Sequence, residues 1–334
     1  MGNHSGVTEF LILGFSEFRE LKLPLFTLFL LIYLMAVLGN LLIICIVCAD
    51  SHLHTPMYFF LVNLSLIDVC SLTVTVPKLL AVLLTQNNAI SFSDCILQMY
   101  CNFICVGTEF ILLAVMAYDR YVAICNPLRY TIIMTRRICA LLAAFSWAAG
   151  FIVTLPQVII ISRFSFCSSN EIVHFFCDFT ALMKLSCSDT STIELLNYIE
   201  GVFTDLTPFV LILTSYVCII LSIMKSIHSA EGRRKAFSTC SSHLLVVILF
   251  YGTVMCVYLR PSSDYNMDNN MLVTVIFIFL IPLVNPLIYS IRNKDLKVAL
   301  QKSLGRELSL LVNKTKDKIF LVAQDNRNPR NEMI

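Results

Sequence analysis

Long apolar runs separated by short polar ones organise this chain. Residues 23–48, 138–162, 206–224 and 271–291 contain no Asp, Glu, Lys or Arg. Residues 57–77 read the same way apart from Asp68, residues 95–118 apart from Glu109, and residues 238–259 apart from His243. A helix needs about 20 apolar residues to cross the hydrocarbon core of a bilayer. The pattern therefore predicts seven crossings and an all-α membrane fold, a seven-transmembrane helix bundle. It divides the chain into an N-terminal segment 1–22, a bundle 23–292, a short amphipathic helix 293–305 and a polar tail 306–334. In residues 293–304 (NKDLKVALQKSL), Leu296, Leu300 and Leu304 recur every fourth position with lysines between. That spacing predicts an eighth helix lying on the membrane surface. The tail reads as polar, ending in NRNPRNEMI, and predicts disorder.

Composition agrees with this pattern. Of 334 residues, 57% are hydrophobic and only 14% charged, against roughly 25% charged in a soluble domain. The net charge of +2 gives no reason to expect a nucleic-acid partner. The first 22 residues lack a basic region followed by an apolar core, so the first span is expected to act as the insertion signal. Met1-Gly2 is not a myristoylation site, because residue 6 is Gly.

Basic residues set the expected orientation. Twelve Lys and Arg lie in one set of loops and in residues 292–306, among them Arg136, Arg137, Arg233, Arg234 and Lys294, and five in the opposite set. The richer set is expected to be cytoplasmic, with the N-terminus outside and the C-terminus inside. Asn3-His4-Ser5 is then an available glycosylation acceptor. Asn313-Lys314-Thr315 has the same pattern on the cytoplasmic side, where it would stay unmodified. Of the fourteen cysteines, most fall within spans and read as packing residues. Cys95, Cys167, Cys177 and Cys187 fall on the outer side, where an even number predicts two disulfides. Spacing alone leaves all three pairings open. The loop 163–194 holds three of these four and reads as a stapled lid.

The third span can be measured by its rise per residue. Arg120 lies roughly 37 Å from Cys95, 27 Å from Asn102 and 16 Å from Glu109 at 1.5 Å per residue. Asn102, Val106, Glu109, Leu113 and Met116 share one face. Asp119-Arg120-Tyr121, in the run MAYDRYVAIC (116–125), sits where this helix meets the cytoplasm. Charge is costly at a membrane boundary and points to function. Asp68 and Glu109 are intramembrane carboxylates. They either coordinate a sodium ion with Asn40 or Asn285, or are protonated and hydrogen-bonded to those asparagines. Pro208 and Pro286 predict kinks, and Trp147, the only tryptophan, predicts buried packing. The last span has no lysine, which excludes a retinal Schiff base there. Asn102 stands where a cationic amine would require a carboxylate. The neighbouring wall of Phe103, Val106 and Gly107 suits small, uncharged or weakly polar ligands.

Gly39-Asn40, LHTPMYFFLVNLSLIDVC (53–70), MAYDRYVAIC, Ser215-Tyr216, KAFSTCSSHL (235–244) and PLVNPLIYSIRN (282–293) occur in that order. Together they resemble the olfactory receptors of the rhodopsin-like G-protein-coupled receptor superfamily, over roughly residues 8–305. The short stretch after Tyr258-Leu259-Arg260-Pro261-Ser262 resembles their tetrapod-type class. The resemblance implies a plasma-membrane receptor, not an enzyme. It would bind an odorant, sit in membrane lipid and activate a heterotrimeric stimulatory (olfactory-type) G protein to raise cyclic AMP. It implies the disulfides Cys95–Cys177 and Cys167–Cys187. It implies a G-protein switch of Asp119, Arg120, Tyr121, Tyr216, His243 and Tyr289, with Ser238, Thr239 and His243 replacing an acidic latch. It implies an odorant pocket of Asn102, Phe103, Val106, Gly107, Phe203, Thr204, Thr207, Tyr251, Met255, Tyr258 and Thr274. No cofactor is implied beyond the candidate sodium ion. The tail extends past the point where the resemblance ends.

Two other classes meet less support. A transporter calls for repeat symmetry and a substrate path through the bundle. An intramembrane enzyme calls for a nucleophile with a base or a metal set, whereas His52 and His54 fall in a loop and His243 stands alone.

Overall fold

The computed structural model describes residues 7–15, 19–85, 87–167, 169–226, 229–258, 267–292 and 295–302. It does not describe the side chains of 19, 226, 230, 232–239, 255–258, 267–270 and 290–292. Asn3 and the tail therefore lie outside the described residues.

Seven long helices make up the bundle among those residues. They are α1 (Lys22–Ala49), α2 (Pro56–Thr85), α3 (Phe92–Cys125), α4 (Arg136–Ile161), α5 (Ser191–Ser226), α6 (Ala230–Tyr258) and α7 (Met267–Arg292). Six contain a helix long and apolar enough to cross a membrane, and α6 contains a shorter apolar stretch, Cys240–Val254. Apolar sequence becomes helix here because a backbone in hydrocarbon must satisfy its own hydrogen bonds. Large apolar side chains such as Leu38, Ile152 and Leu221 stay exposed around the outside. They form the surface that lipid would cover.

Local signals fix several helix starts. Ser91 Oγ accepts from Asp94 N (3.1 Å) at the start of α3, and Thr135 Oγ1 accepts from Ile138 N (3.3 Å) at the start of α4. α5 begins at Ser191, well before the predicted 206, because Glu194, Asn197 and Glu200 interrupt its apolar run but not its helix. Both α5 and α7 contain a π-helical turn, Val202–Leu206 and Ile276–Leu280. The first lies just ahead of Pro208, whose missing N–H the wider turn accommodates. Thr207 Oγ1 donates to Val202 O (2.9 Å) across that turn. Pro77 and Pro156 also lie inside helices. Trp147 is only partly buried against the core, short of the buried packing expected, with Nε1 donating to Asn63 Oδ1 (3.2 Å).

The helical bundle carries one small three-stranded sheet at the end where the N-terminal segment lies. Strand β1 (Glu9–Ile12) pairs antiparallel with β2 (Ala89–Ser91) and parallel with β3 (Glu171–Ile172), in the order β2-β1-β3. Phe10 and Ile12 alternate inward against Cys95 and Phe166. Gly14, at φ +48°, turns the chain while its N–H donates to His174 O (3.0 Å). The N-terminal segment is thereby sewn to the loop between α4 and α5. Cys95 is bonded to Cys177 with Cα atoms 5.4 Å apart, and Cys167 to Cys187 at 5.9 Å. That loop also carries a two-turn helix, Phe179–Leu185, capped by Asp178.

At the opposite end, residues 295–302 form a short helix. Its Leu296 and Ala299 join the core that α3, α5, α6 and α7 share. α3 crosses the middle of the bundle, and α4 approaches it closely at Gly150. A Cβ there would lie 2.9 Å from Ile104 O, which only glycine avoids.

Candidate functional site

Two sites can be built on this frame, one at each end of α3. At the disulfide end, α3, α5, α6, α7 and the α4–α5 loop enclose a cavity of about 100 Å³. Its apolar wall includes Met99, Phe103, Val106, Val254, Phe277 and Ile278, and its polar lining consists of Asn102, Asp178, Thr180, Asn197 and Thr274. The loop forms the remaining side with Phe176, Cys177 and Phe179. Cys177 is held twice, by its disulfide and by its N–H donating to Gln98 Oε1 (3.0 Å). Gln98 Nε2 in turn donates to Val74 O on α2 (2.9 Å).

Of the residues expected to line an odorant pocket, Asn102, Phe103, Val106 and Thr274 do so. Phe203 does not: it is 69% exposed on the outside of α5. Thr207 is also exposed. Thr204 is buried, and its hydroxyl is taken up by Glu200 O (2.9 Å) and Asp205 Oδ1 (2.7 Å). Gly107 faces Gly150 at the α3–α4 contact. Tyr251 lies in the core between Phe110 and Phe209, with ring centroids 5.3 and 4.8 Å away. The π-helical turn explains the misplacement on α5: it rotates the residues before Pro208 relative to a regular helix. The side chains of Met255 and Tyr258 lie outside the described residues. The sequence marked loop 163–194 as a stapled lid but did not place Phe176, Asp178, Phe179 and Thr180 in the lining. The only available signal was the cysteine at 177, which draws its neighbours onto α3.

Halfway down, Asn285 Nδ2 donates to Asp68 Oδ2 (3.1 Å) and Oδ1 (3.4 Å). Asn40 spends its amide N–H groups on Ala36 O (3.0 Å) and Pro282 O (2.9 Å). The buried Glu109 Oε1 and Asn40 Oδ1 have no hydrogen-bond partner among the described residues. No group of three or more His, Cys, Asp or Glu stands close enough to hold a metal among those residues.

At the far end of α3, the Asp119 carboxylate is fully buried and paired with Arg120, whose Nε donates at 2.9 Å. Tyr130, on a one-turn helix after α3, donates its hydroxyl to Asp119 Oδ1 (2.8 Å). Burial and the Asp119 charge hold the Tyr130 hydroxyl above its ordinary pKa, so it stays a donor. Tyr216 Oη on α5 meets His243 Nδ1 on α6 at 2.7 Å, and also reaches Cys240 O at 3.4 Å. Tyr289 on α7 is buried with no hydrogen-bond partner for its hydroxyl among the described residues. Tyr121 stands apart, packed near Tyr118 with ring centroids 6.3 Å apart. The side chains of Ser238 and Thr239 lie outside the described residues. Chemically, this end holds a guanidinium by one carboxylate, beside a polar tie between two helices that could separate. Tyr130 belongs to the group, and its spacing from Asp119 gave no sequence signal.

Comparisons with known proteins agree with this arrangement. The closed bundle is similar to the crystal structure of squid rhodopsin, with a TM-score of 0.70 and 16% identity over 87% of each chain. That likeness establishes the seven-helix fold. Olfactory receptor 1M1 of Mus musculus is 49% identical over 307 residues, covering 92% of this chain and 98% of its own length. Olfactory receptor 1f45 of Rattus norvegicus is 51% identical over 303 residues, covering 91% and 96%. Olfactory receptor 1F1 of Homo sapiens is 49% identical over 304 residues, covering 91% and 97%. A family model described as olfactory receptor matches residues 29–307. With a multi-pass bundle, a cavity at one end and a buried Asp119–Arg120 pair at the other, this chain belongs to the olfactory receptor family of G-protein-coupled receptors.

Proposed function

We propose that this chain detects small, mostly neutral volatile odorants in the cavity beneath the disulfide-bonded loop and activates a stimulatory, olfactory-type G protein to raise cyclic AMP. The disulfide end faces outward at the plasma membrane and the Arg120 end faces the cytoplasm. Oxidised cysteines at one end and the excess of Lys and Arg at the other support that orientation. The observation that carries the signalling reading is the buried Asp119–Arg120 pair, one helix length from the cavity.

The mechanism is a population shift. In the resting state Arg120 is held by Asp119, and α5 is tied to α6 through Tyr216 and His243. A ligand gripping α3, α6 and α7 favours a state with α6 swung outward, and Arg120 then meets the G protein. A ligand that binds the open state about 100-fold more tightly shifts the equilibrium by about 2.7 kcal/mol.

Asp68 and Glu109 hold either a sodium ion or protons. Glu109 Oε1 and Asn40 Oδ1 are buried acceptors without a hydrogen-bond partner among the described residues, which either occupant would help to satisfy. Exchanging sodium for a bulky organic cation during thermal melting separates the two: sodium binding predicts a lower melting point without it, and protonation predicts none.

The deciding test is cyclic AMP in cells expressing the chain with the olfactory G protein, across a panel of neutral volatiles. A dose-dependent rise that disappears in Arg120→Ala, with surface expression retained, supports the reading. A response unchanged by Arg120→Ala overturns the switch.

A further inference from the structure

Gln98 is not part of the cavity's lining, yet it holds a wall that is. It lies on α3 one turn past Cys95 and is only 7% exposed. Its Oε1 accepts from Cys177 N (3.0 Å), and its Nε2 donates to Val74 O on α2 (2.9 Å). The two partners fix its orientation. A backbone N–H requires the oxygen and a carbonyl requires the amide, so a flipped side chain would satisfy neither. Val74 stands one turn ahead of Pro77, which lacks the N–H of a regular helix. Gln98 thus ties α2, α3 and the loop together.

The disulfide by itself tethers this segment without orienting it. Cys95–Cys177 holds one side chain to α3, whereas the bond from Cys177 N to Gln98 holds the backbone. Upstream, Gly14 N donates to His174 O (3.0 Å), and Phe175 and Phe176 are buried in one cluster with residues of α1, α2 and α7. Downstream, Asp178 caps the two-turn helix, its Oδ1 accepting from Ala181 N (3.1 Å). Cys177 is the joint between these two blocks. The direction of the chain there decides where Asp178, Phe179 and Thr180 stand in the lining. Cys177 is fully buried, so without Gln98 its N–H has no water to turn to.

We infer that Gln98 is a positioning residue for ligand recognition: it sets the loop segment 178–180 against the cavity, and so sets which ligands bind, without touching them. The inference rests on the cavity being the odorant site. Losing the bond leaves a buried donor unpaired, which favours states in which the segment turns to find another acceptor. Those states move Phe179 away from Phe103, whose ring centroid lies 6.0 Å from its own. The wall that a ligand meets is then reshaped, and ligands of different shape are affected unequally.

Two variants test this on the full chain. Gln98→Met keeps the length of the side chain and drops both hydrogen bonds, while Gln98→Glu keeps an acceptor for Cys177 N. In hydrogen–deuterium exchange on purified receptor, the amides of 177–181 should exchange roughly tenfold or more faster in Gln98→Met and near the wild-type rate in Gln98→Glu. In cells, short-chain n-alkanols, 2-alkanones and ethyl esters are titrated for cyclic AMP. Half-maximal concentrations should rise in Gln98→Met by unequal amounts, up to roughly a hundredfold, so that the order of potency changes. Gln98→Glu should keep the wild-type order. A receptor that merely folded less well would lose maximal response at unchanged half-maximal concentrations. Wild-type exchange in Gln98→Met, lost protection in Gln98→Glu, or an unchanged order of potency in Gln98→Met overturns the inference. The odorant reading is judged separately: it fails if no volatile raises cyclic AMP in wild type, while the exchange rates alone still decide whether Gln98 holds the loop.

Discussion

Tyr216 Oη and His243 Nδ1 lie 2.7 Å apart, with their rings nearly parallel at 12° and centroids 5.9 Å from each other. One residue is on α5 and the other on α6, and both are buried. The contact is therefore a latch between two helices, and an outward swing of α6 has to break it. A buried hydrogen bond of this kind contributes about 1 kcal/mol net. His243→Phe keeps the stacked ring but removes the acceptor, so basal cyclic AMP should rise about fivefold at equal surface expression. Unchanged basal signalling would show that the latch does not hold the resting state.

Tyr130 adds a second restraint at the same end. Its hydroxyl donates to the carboxylate that holds Arg120. Hydrogen bonds to a charged group contribute roughly 1.5–3 kcal/mol, so Tyr130→Phe should also raise basal cyclic AMP, by roughly tenfold to a hundredfold. A variant with wild-type basal output and full surface expression would count against this role.

The Cys95–Cys177 bond spans 82 residues of chain and pins the loop that closes the cavity. Cys177→Ser should cost about 2–5 kcal/mol. Surface labelling should detect little receptor, and normal delivery with normal signalling would refute the staple.

Gly150 sits where α4 meets α3. An added Cβ would lie 2.9 Å from Ile104 O and 3.2 Å from Thr108 N, both backbone atoms that cannot rotate away. Gly150→Ala should cost roughly 1–3 kcal/mol and lower the melting point of purified receptor, with Gly150→Val worse. A melting point equal to wild type would mean that the two helices separate freely.

His174 lies in the loop, 3% exposed, with both ring nitrogens unpartnered among the described residues and its ring centroid 4.7 Å from those of Phe175 and Phe176. Burial pushes its pKa below the usual 6.5, and the Asp178 charge only partly opposes this. Above about pH 6.5 the imidazole is neutral folded and unfolded, so it adds no pH dependence there. As pH falls below that value the unfolded chain takes up the proton first, and stability is lost down to the folded pKa. The melting point should therefore drop between pH 7 and pH 5 by more in wild type than in His174→Leu. Equal slopes would remove His174 as the cause.

The sequence by itself determined the number of crossings, because backbone polar groups in hydrocarbon leave helix as the available solution and the runs are long enough to count. It also identified Asp119 and Arg120, since charge at a membrane boundary stands out against apolar surroundings. Asn102 and Val106 were legible on one face of α3 because a regular helix keeps its phase. That phase failed on α5, where the π-helical turn before Pro208 put Phe203 outside and Thr204 inside. Where a span carries no polar residue to mark its inner face, the tertiary structure decided which face turns inward, because lipid is as apolar as the core and gives no hydrophobic direction. It also brought Asp178 and Tyr130 to their sites. Both arrive on segments outside the long helices, and a disulfide and a chain reversal, rather than any periodicity, set where they stand.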